Sequence, residues 1–407
     1  MALASTSRVQ VRYIKESQFG VIPVAGNPKE LRVTGESLNF TLNKEQSAEI
    51  NSTRAVSSMV AVSAEASGGV NAELSYAEYD EFFSAVLQDA WAAYGTDGVG
   101  TSFSGTFTAT DITAAVAPTG GSAFTTLKPG QWFTVRGTGT ANDNKLLRVS
   151  KTVAPTSTVI TLDPGTPAVV GGPYAATVVH TARLTNGVTQ PSYVLERESG
   201  DTSEFFAYTG MTASSMSLNI ASGSLSTLEF SFMGKDAVAD SSTNLPGTPV
   251  ASQAYQIMSG VSGTSCALWY EGAPLAGTFV NSISLSYDNA LRMQNAICTL
   301  GAVGIGSGTI NLTADIEVYF ASGRAFYDEF LANTNAEIAF TAFDVDGNGY
   351  VFTIPKANIS SYTVNAGGKD ADLMASISVT GLLDNGNATA ALRKVLFVDR
   401  LGAAVTL

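Results

Sequence analysis

The chain has 407 residues, 45% of them hydrophobic and only 14% charged, against about 25% charged in an ordinary soluble domain. With 35 acidic and 22 basic residues the net charge is −13, so a polyphosphate is on average repelled rather than gripped. A single histidine, His180, leaves most acid–base, metal and nucleophile-activating schemes without their usual residue.

The opening "MALASTSRVQVRYI" lacks a positive region followed by an apolar one, so no secretory signal is expected. No apolar run approaches the roughly 20 residues of a membrane helix. Residues 1–34 read as a polar, irregular arm with one alternating stretch, Arg8–Ile14. "ESLNFTL", from Glu36, alternates as a strand; a polar segment follows, then "MVAVSAEASGG" and the strand-like "VNAELSY". In "AEYDEFFSAVLQDAWAAYG", Phe82, Phe83, Val86, Leu87, Ala90 and Trp91 fall at helical spacing, with Gly95 as a stop. Residues 100–184 carry their own strand pattern ("GQWFTVRGTG", "NKLLRVSKTV", "STVITLDPG") separated by Gly, Pro and Asn-Asp turns, and read as a small inserted β-domain. "STNLPGTPVASQ" (242–253) reads as a linker.

The chain then repeats itself. "YDEFF" at 79–83 recurs as "YDEFL" at 327–331. Around it, "NSISLSYDNALRMQNAI" parallels "GESLNFTLNKEQSAEI", and "GSGTINLTADIEVYF" parallels "SGGVNAELSY". Downstream, the hairpin region 336–381 parallels 191–234. Four blocks agree in order and spacing. The predicted organisation is an arm (1–34), a first β-rich unit (35–99 with 185–241) interrupted by the insertion, the linker, and a second unit (254–407) with a C-terminal tail. The fold class is mainly β, two tandem sandwich or barrel units each with one flanking helix.

Catalytic and metal motifs are weak. Asp344, Asp346, Asn348, Gly349 and Tyr350 in "DVDGNGYVFTIP" match the start of a calcium loop, but Pro355 stands where a bidentate Glu is needed; a tight hairpin turn fits better. Asp80–Glu81 and Asp328–Glu329 are helix neighbours that diverge by about 100° and cannot flank one bond; near a helix start they suit the dipole. No metal, cofactor or catalytic residue is expected. Cys266 and Cys298 sit among apolar residues and are expected as two buried thiols, with a disulfide still open.

A sheet unit that does not close leaves edges, and edges pair with other chains, often into symmetric rings. The stretch "SRVQVRYIKESQFGVIPVAGNPKELRVTGESLNFTL", followed by "SGGVNAELSYAEYDEFF", resembles the start of tail tube proteins of long, non-contractile-tailed bacteriophages, most strongly over residues 7–95. The resemblance implies a flanking helix on a β-sandwich unit, and strands joined between units into a barrel around a channel. That channel holds first a tape-measure protein and then DNA that passes without specific binding. It also implies assembly in the host cytoplasm into a virion tail with tail-end proteins as partners, and no membrane insertion. Shorter members form hexameric rings, so a doubled unit implies a homotrimer with pseudo-sixfold symmetry. An acidic bore lets DNA slide; Glu45, Glu49, Asp288, Glu196, Glu198 and Glu229 are the channel-lining candidates. Residues 1–34 and 43–69 should bridge stacked rings, and the insertion should project outward, where a glycan is a conceivable ligand. The rival readings are a surface β-domain adhesin or carbohydrate-binding protein, which predicts a stable monomer, and an acidic β-sandwich glycoside hydrolase, which needs facing carboxylates.

Overall fold

The structure is a computed structural model that describes residues 5–92, 102–119, 123–163, 169–179, 182–261, 267–274, 279–320, 325–369, 372–385 and 394–402. His180 and Cys266 lie outside the described residues. Strands β1 (Val9–Lys15), β2 (Lys29–Leu31), β3 (Gly35–Glu36), β4 (Asn39–Gln46) and β5 (Met59–Glu73) precede helix α1 (Asp80–Leu87). Next come β6 (Phe103–Phe107), β7 (Asp111–Ala114), β8 (Trp132–Arg136), β9 (Leu147–Arg148), β10 (Val159–Thr161) and β11 (Gly171–Val179). They are followed by β12 (Arg183–Thr185), β13 (Tyr193–Ser199), β14 (Glu204–Ala221), β15 (Thr227–Gly234) and β16 (Asp236–Asp240). The remainder is β17 (Leu268–Tyr270), β18 (Ala273–Pro274), β19 (Val280–Asp288), β20 (Arg292–Gln294), β21 (Gly304–Gly306), β22 (Asn311–Tyr319), α2 (Ala325–Ala332), β23 (Asn335–Phe343), β24 (Gly349–Ala366), β25 (Leu373–Gly381) and β26 (Phe397–Leu401).

Eight strands pair antiparallel into one curled wall, in the order β4-β5-β15-β14-β19-β22-β25-β24. Two smaller sheets back it, β2-β1-β13-β14-β16 and β18-β17-β23-β24-β26-β12. The 18-residue strands β14 and β24 serve both layers. Each changes sheet at a bulge, between Ala213 and Ser215 in one and between Ile359 and Ser361 in the other, where the extra residue bends the strand. The pairing scheme thus occurs twice, once through β13, β14, β15 and β16 and once through β23, β24, β25 and β26. A second bulge also recurs, between Tyr193 and Leu195 and between Ala336 and Ile338.

Alternation explains the core. Leu228, Phe230 and Phe232 of β15, Leu285 and Tyr287 of β19, and Ile316 and Val318 of β22 are buried on one face of the wall. Helix α1 lies against that face. Phe82, Phe83, Val86 and Leu87 share one side of it at helical spacing, and the rings of Phe82 and Phe83 meet Phe230, Phe232 and Tyr350 edge-on or tilted. The helix stops at Gln88, which adopts the left-handed conformation.

Three segments differ from their sequence expectation. Within the predicted arm, Val11 and Tyr13 of β1 are buried in the main core and Ile14 on the opposite face, because β1 pairs with distant β13. Residues 242–253 form a strap rather than a free linker: Leu245 packs on Ile14, Val194 and Ala207, and Val250 hydrogen-bonds Pro28 and Glu30. Much of segment 43–69, expected to bridge stacked rings, is the paired outer reach of β4 and β5, with Leu42, Met59, Val60 and Val62 exposed. Cys298 is exposed, not buried: it occupies a loop in the left-handed region with φ +68°, where its neighbours Ile297 and Leu300 also face outward.

The strands between Phe103 and Val179 form their own six-stranded sheet, order β10-β7-β6-β11-β8-β9, around Phe107, Ile112, Phe124, Phe133 and Val149. This sheet is seated firmly on the second backing sheet. Trp132 meets Trp269 at 4.8 Å between ring centroids, its Nε1 donates to Thr353 Oγ1 at 3.1 Å, and both tryptophans share a cluster with Ala339, Phe343, Val351 and Leu401. Arg148, buried, pairs with Glu337 and, at 3.0 Å, with Asp163. Arg183, equally buried, holds Asp399 with two bonds of 2.7 Å and donates to the Gly130 carbonyl. Glu337 and Thr353 occupy the sheet positions that Val194 and Ala207 occupy in the first backing sheet. The strap covers one such face and the 103–179 sheet covers the other.

Candidate assembly surface and channel face

The distinctive surface of the chain is the outer face of the eight-stranded wall. Residues alternating with the buried ones are short and polar: Ser215, Ser217 and Asn219 on β14; Ser282, Ser284 and Ser286 on β19; Ser376, Ser378 and Thr380 on β25. Six carboxylates stand among them, Glu65, Glu73, Glu229, Asp288, Asp315 and Glu317, and no Lys or Arg occupies the same face along the paired stretches.

Their spacing follows from the register. Glu229 lies between Asn71 and Ser217, Asp288 between Ser215 and Asn311, Asp315 between Ser284 and Ser378, and Glu317 between Ser282 and Ser376. No acid is directly opposite another, which avoids the cost of like charges in a cross-strand pair. Small donors secure two of them: Ser378 Oγ donates to Asp315 at 2.6 Å and Asn281 Nδ2 to Glu317 at 2.7 Å. Such a face offers hydroxyls and negative charge to a passing molecule, with no cation to hold a phosphate.

Of the residues expected from the sequence, Glu229 and Asp288 lie on this face. Glu45 is on the exposed outer reach of β4, beyond the bulge at Asn43 and Lys44, and Glu49 is in the following loop, accepting from Ser57 Oγ at 2.8 Å. Glu196 and Glu198 are on β13, in a backing sheet. Glu196 is buried under the strap, accepting from Thr243 Oγ1 and the Asn244 amide, and Glu198 pairs with Arg12 at 2.7 Å. Glu65, Glu73, Asp315 and Glu317 escaped the sequence reading. The alternation of "NLTADIEVYF" carries the signal for the last two, since Leu312, Ala314, Ile316 and Val318 face the core.

At 344–348 the chain makes a tight turn between β23 and β24. The Asp344 carboxylate accepts from the amides of Asp346 and Asn348, both at 2.9 Å, and Gly347 takes φ +77°. Those oxygens are engaged by the turn itself. Among the described residues no group of three or more His, Cys, Asp or Glu is gathered to hold a metal ion.

Where the two halves of the wall meet, α1 is enclosed by polar locks. Tyr350 donates to Asp80 Oδ1 at 2.7 Å and accepts from the Ala77 amide at 2.8 Å, and Arg400 pairs with Asp80. Asn289 Nδ2 donates to the Val86 carbonyl and Gln88 Nε2 to Ser307 Oγ, each at 2.7 Å. Burial, with Asp80 beside it, pushes the Tyr350 hydroxyl well above the usual tyrosine range, so it remains a donor. Tyr350→Phe leaves the partly buried Asp80 oxygen and the Ala77 amide short of a partner, and is expected to cost about 2 kcal/mol in urea unfolding.

These features define a mainly β structural protein whose principal surface is an extended acidic wall rather than a pocket. A family model described as phage tail tube protein matches residues 6–381, and the chain belongs to that family. No curated protein matches the chain.

Proposed function

We propose that the chain polymerises into stacked rings that form the phage tail tube, a conduit through which the genome is delivered. The observation that carries this reading is the eight-stranded wall with one apolar face, one face whose only charges among the described residues are acidic, and edges at β4 and β24 that no other described strand pairs. A long wall with open edges is a piece of a larger sheet. The repeated pairing scheme is the trace of an internal duplication, each half supplying four strands to the wall. Three chains then close a barrel of about 24 strands, and at ordinary strand spacing and tilt its backbone diameter is roughly 45 to 50 Å. That is wide enough for a DNA duplex, or before it an extended tape-measure protein. The acidic face lines the bore, so the cargo slides without binding. The projecting outer reach of β4 and β5, with its exposed Leu42, Met59, Val60 and Val62, suits contact with the adjoining ring. The 103–179 sheet decorates the outside, and tail-end proteins cap the tube. Assembly takes place in the host cytoplasm.

Negative-stain microscopy of the purified protein at rising concentration tests this. Hollow rings or tubes are expected; a monomer that stays dispersed at high concentration contradicts it.

A further inference from the structure

The wall contains one joint that is already made, where the last reach of β14 pairs with β19, Ser215 opposite Asp288 through Ala221 opposite Ser282. Each element of that joint has a counterpart at an open edge of the same chain. The bulge of β24 places Ser361 where β14 has Ser215, and the two hairpins, β14–β15 and β24–β25, keep that correspondence. The pairings of β4 with β5 and of β19 with β22 place Asn39 where β19 has Ser286.

Burial differs between counterparts in one direction only. Leu218 on β14 is 0% exposed, while Val364, its counterpart on β24, is 41% exposed. Asn289 is 2% exposed after β19, and Leu42, its counterpart on β4, is 38% exposed. Phe83 of α1 is 0% exposed, and Leu331, which matches it in the repeated "YDEF" segment of α2, is 61% exposed. Helix α2 rests on β24, with Tyr327 and Tyr362 at 5.5 Å, and among the described residues its outer side carries no cover comparable to what encloses α1. A strand edge, core-side residues on it (Val364 and Leu42, though not Leu38, which is 3% exposed) and a helix are therefore uncovered together, and their counterparts are the ones the internal joint covers.

Resting on the ring reading above, we infer that the occupant of this surface is β4 of a second copy of the chain, joined to β24 in the register of the internal joint, with α2 closed over by the incoming chain. The register pairs Ser361 with Thr41, Tyr362 with Phe40, Thr363 with Asn39 and Val364 with Leu38 of the neighbour. The seam so formed differs chemically from the internal one. Leu42, Ala61, Glu204 and Ser241 stand where Asn289, Ser307, Tyr350 and Arg400 lock α1, so the neighbour covers α2 with an apolar Leu42 and without those polar locks. Around the ring, tight seams within chains alternate with looser ones between chains, and the tube comes apart at the looser seams into intact chains.

The test uses the full-length protein in a background with both native cysteines replaced, Cys266→Ser and Cys298→Ser, with single-cysteine variants as controls. Under mild oxidation, Asn39→Cys with Thr363→Cys is expected to give covalent dimers and closed trimers. Asn43→Cys with Thr363→Cys, two cross-strand pairs out of register, is expected to give neither. Leu331→Asp changes an exposed side chain, so its unfolding curve should match the wild type while its association weakens by roughly tenfold or more. Rings that form without the 39–363 cross-link, or a Leu331→Asp protein that associates as tightly as the wild type, overturn the inference and leave the ring reading standing. A chain that never associates removes both.

Discussion

Arg148→Ala is expected to destabilise the protein by about 3–5 kcal/mol, because it leaves the Glu337 and Asp163 carboxylates buried without their cation. Burial works against the Arg148 charge, yet Glu337 and Asp163 outweigh it and hold the guanidinium above its ordinary range. The loss falls on the seat of the 103–179 sheet, since Arg148 also lies 5.2 Å over the Trp132 ring. Unfolding by urea, followed by tryptophan fluorescence, measures it. Replacing Arg148 with Met, Asp163 with Asn and Glu337 with Leu together is expected to recover most of the loss, since no buried charge is then left unpaired. Burial pushes Asp163 above the usual carboxylate range in spite of Arg148. Its folded form therefore holds a proton at a pH where the unfolded chain has lost it. The stability it contributes is complete below about pH 4 and falls as pH rises through the folded value. Without Arg148 that window widens, so the variant should be more destabilised at about pH 7 than at about pH 5. Equal destabilisation at the two values would mean that Asp163 is not the group responding.

Reversing the charge of the wall should have the largest functional effect. Glu229, Asp288, Asp315 and Glu317 all lie opposite small polar residues, so Lys at these four positions has room and no buried partner to offend, and folding should survive. With this face lining the bore, as proposed, the change turns a repelling surface into an attracting one. Binding of duplex DNA at low salt is expected of the variant and not of the wild type, and should fall by about a thousandfold or more between roughly 50 and 200 mM salt, as counterion release requires. Fluorescence anisotropy with a labelled duplex reads this directly. Phage carrying the four changes should build tails yet lose infectivity by orders of magnitude, because the genome is held in the tube. A lysine variant that binds no DNA at any salt would place this face elsewhere than on the bore.

Much of the architecture was legible along the chain because it is local. The alternation of Leu228, Phe230 and Phe232, the helical spacing of Phe82, Phe83, Val86 and Leu87, and the Asp344–Asn348 turn each express a period or a turn chemistry that neighbours determine. What stayed hidden depends on partners far away in sequence. Val11 and Tyr13 looked like part of an arm because their partner strand begins at Tyr193. Leu245 is one apolar residue in a polar strap, and nothing local says that it caps Val194 and Ala207. Glu196 alternates like a surface residue and is buried only because that strap passes over it. The acidic sign of the wall could be read from composition. Which carboxylates carry it depends on the β14–β19 pairing, which brings together strands that the sequence separates by a linker.

On the proposed reading, the acidic face of the eight-stranded wall is the inside of a tube. A cryo-electron-microscopy reconstruction of the assembled protein tests it most directly. Threefold rings are expected, with β24 of one chain beside β4 of the next, and with Glu229, Asp288, Asp315 and Glu317 pointing into an open bore. A reconstruction in which those four carboxylates face the outside or a neighbouring subunit, or in which the walls stack without closing, would contradict it.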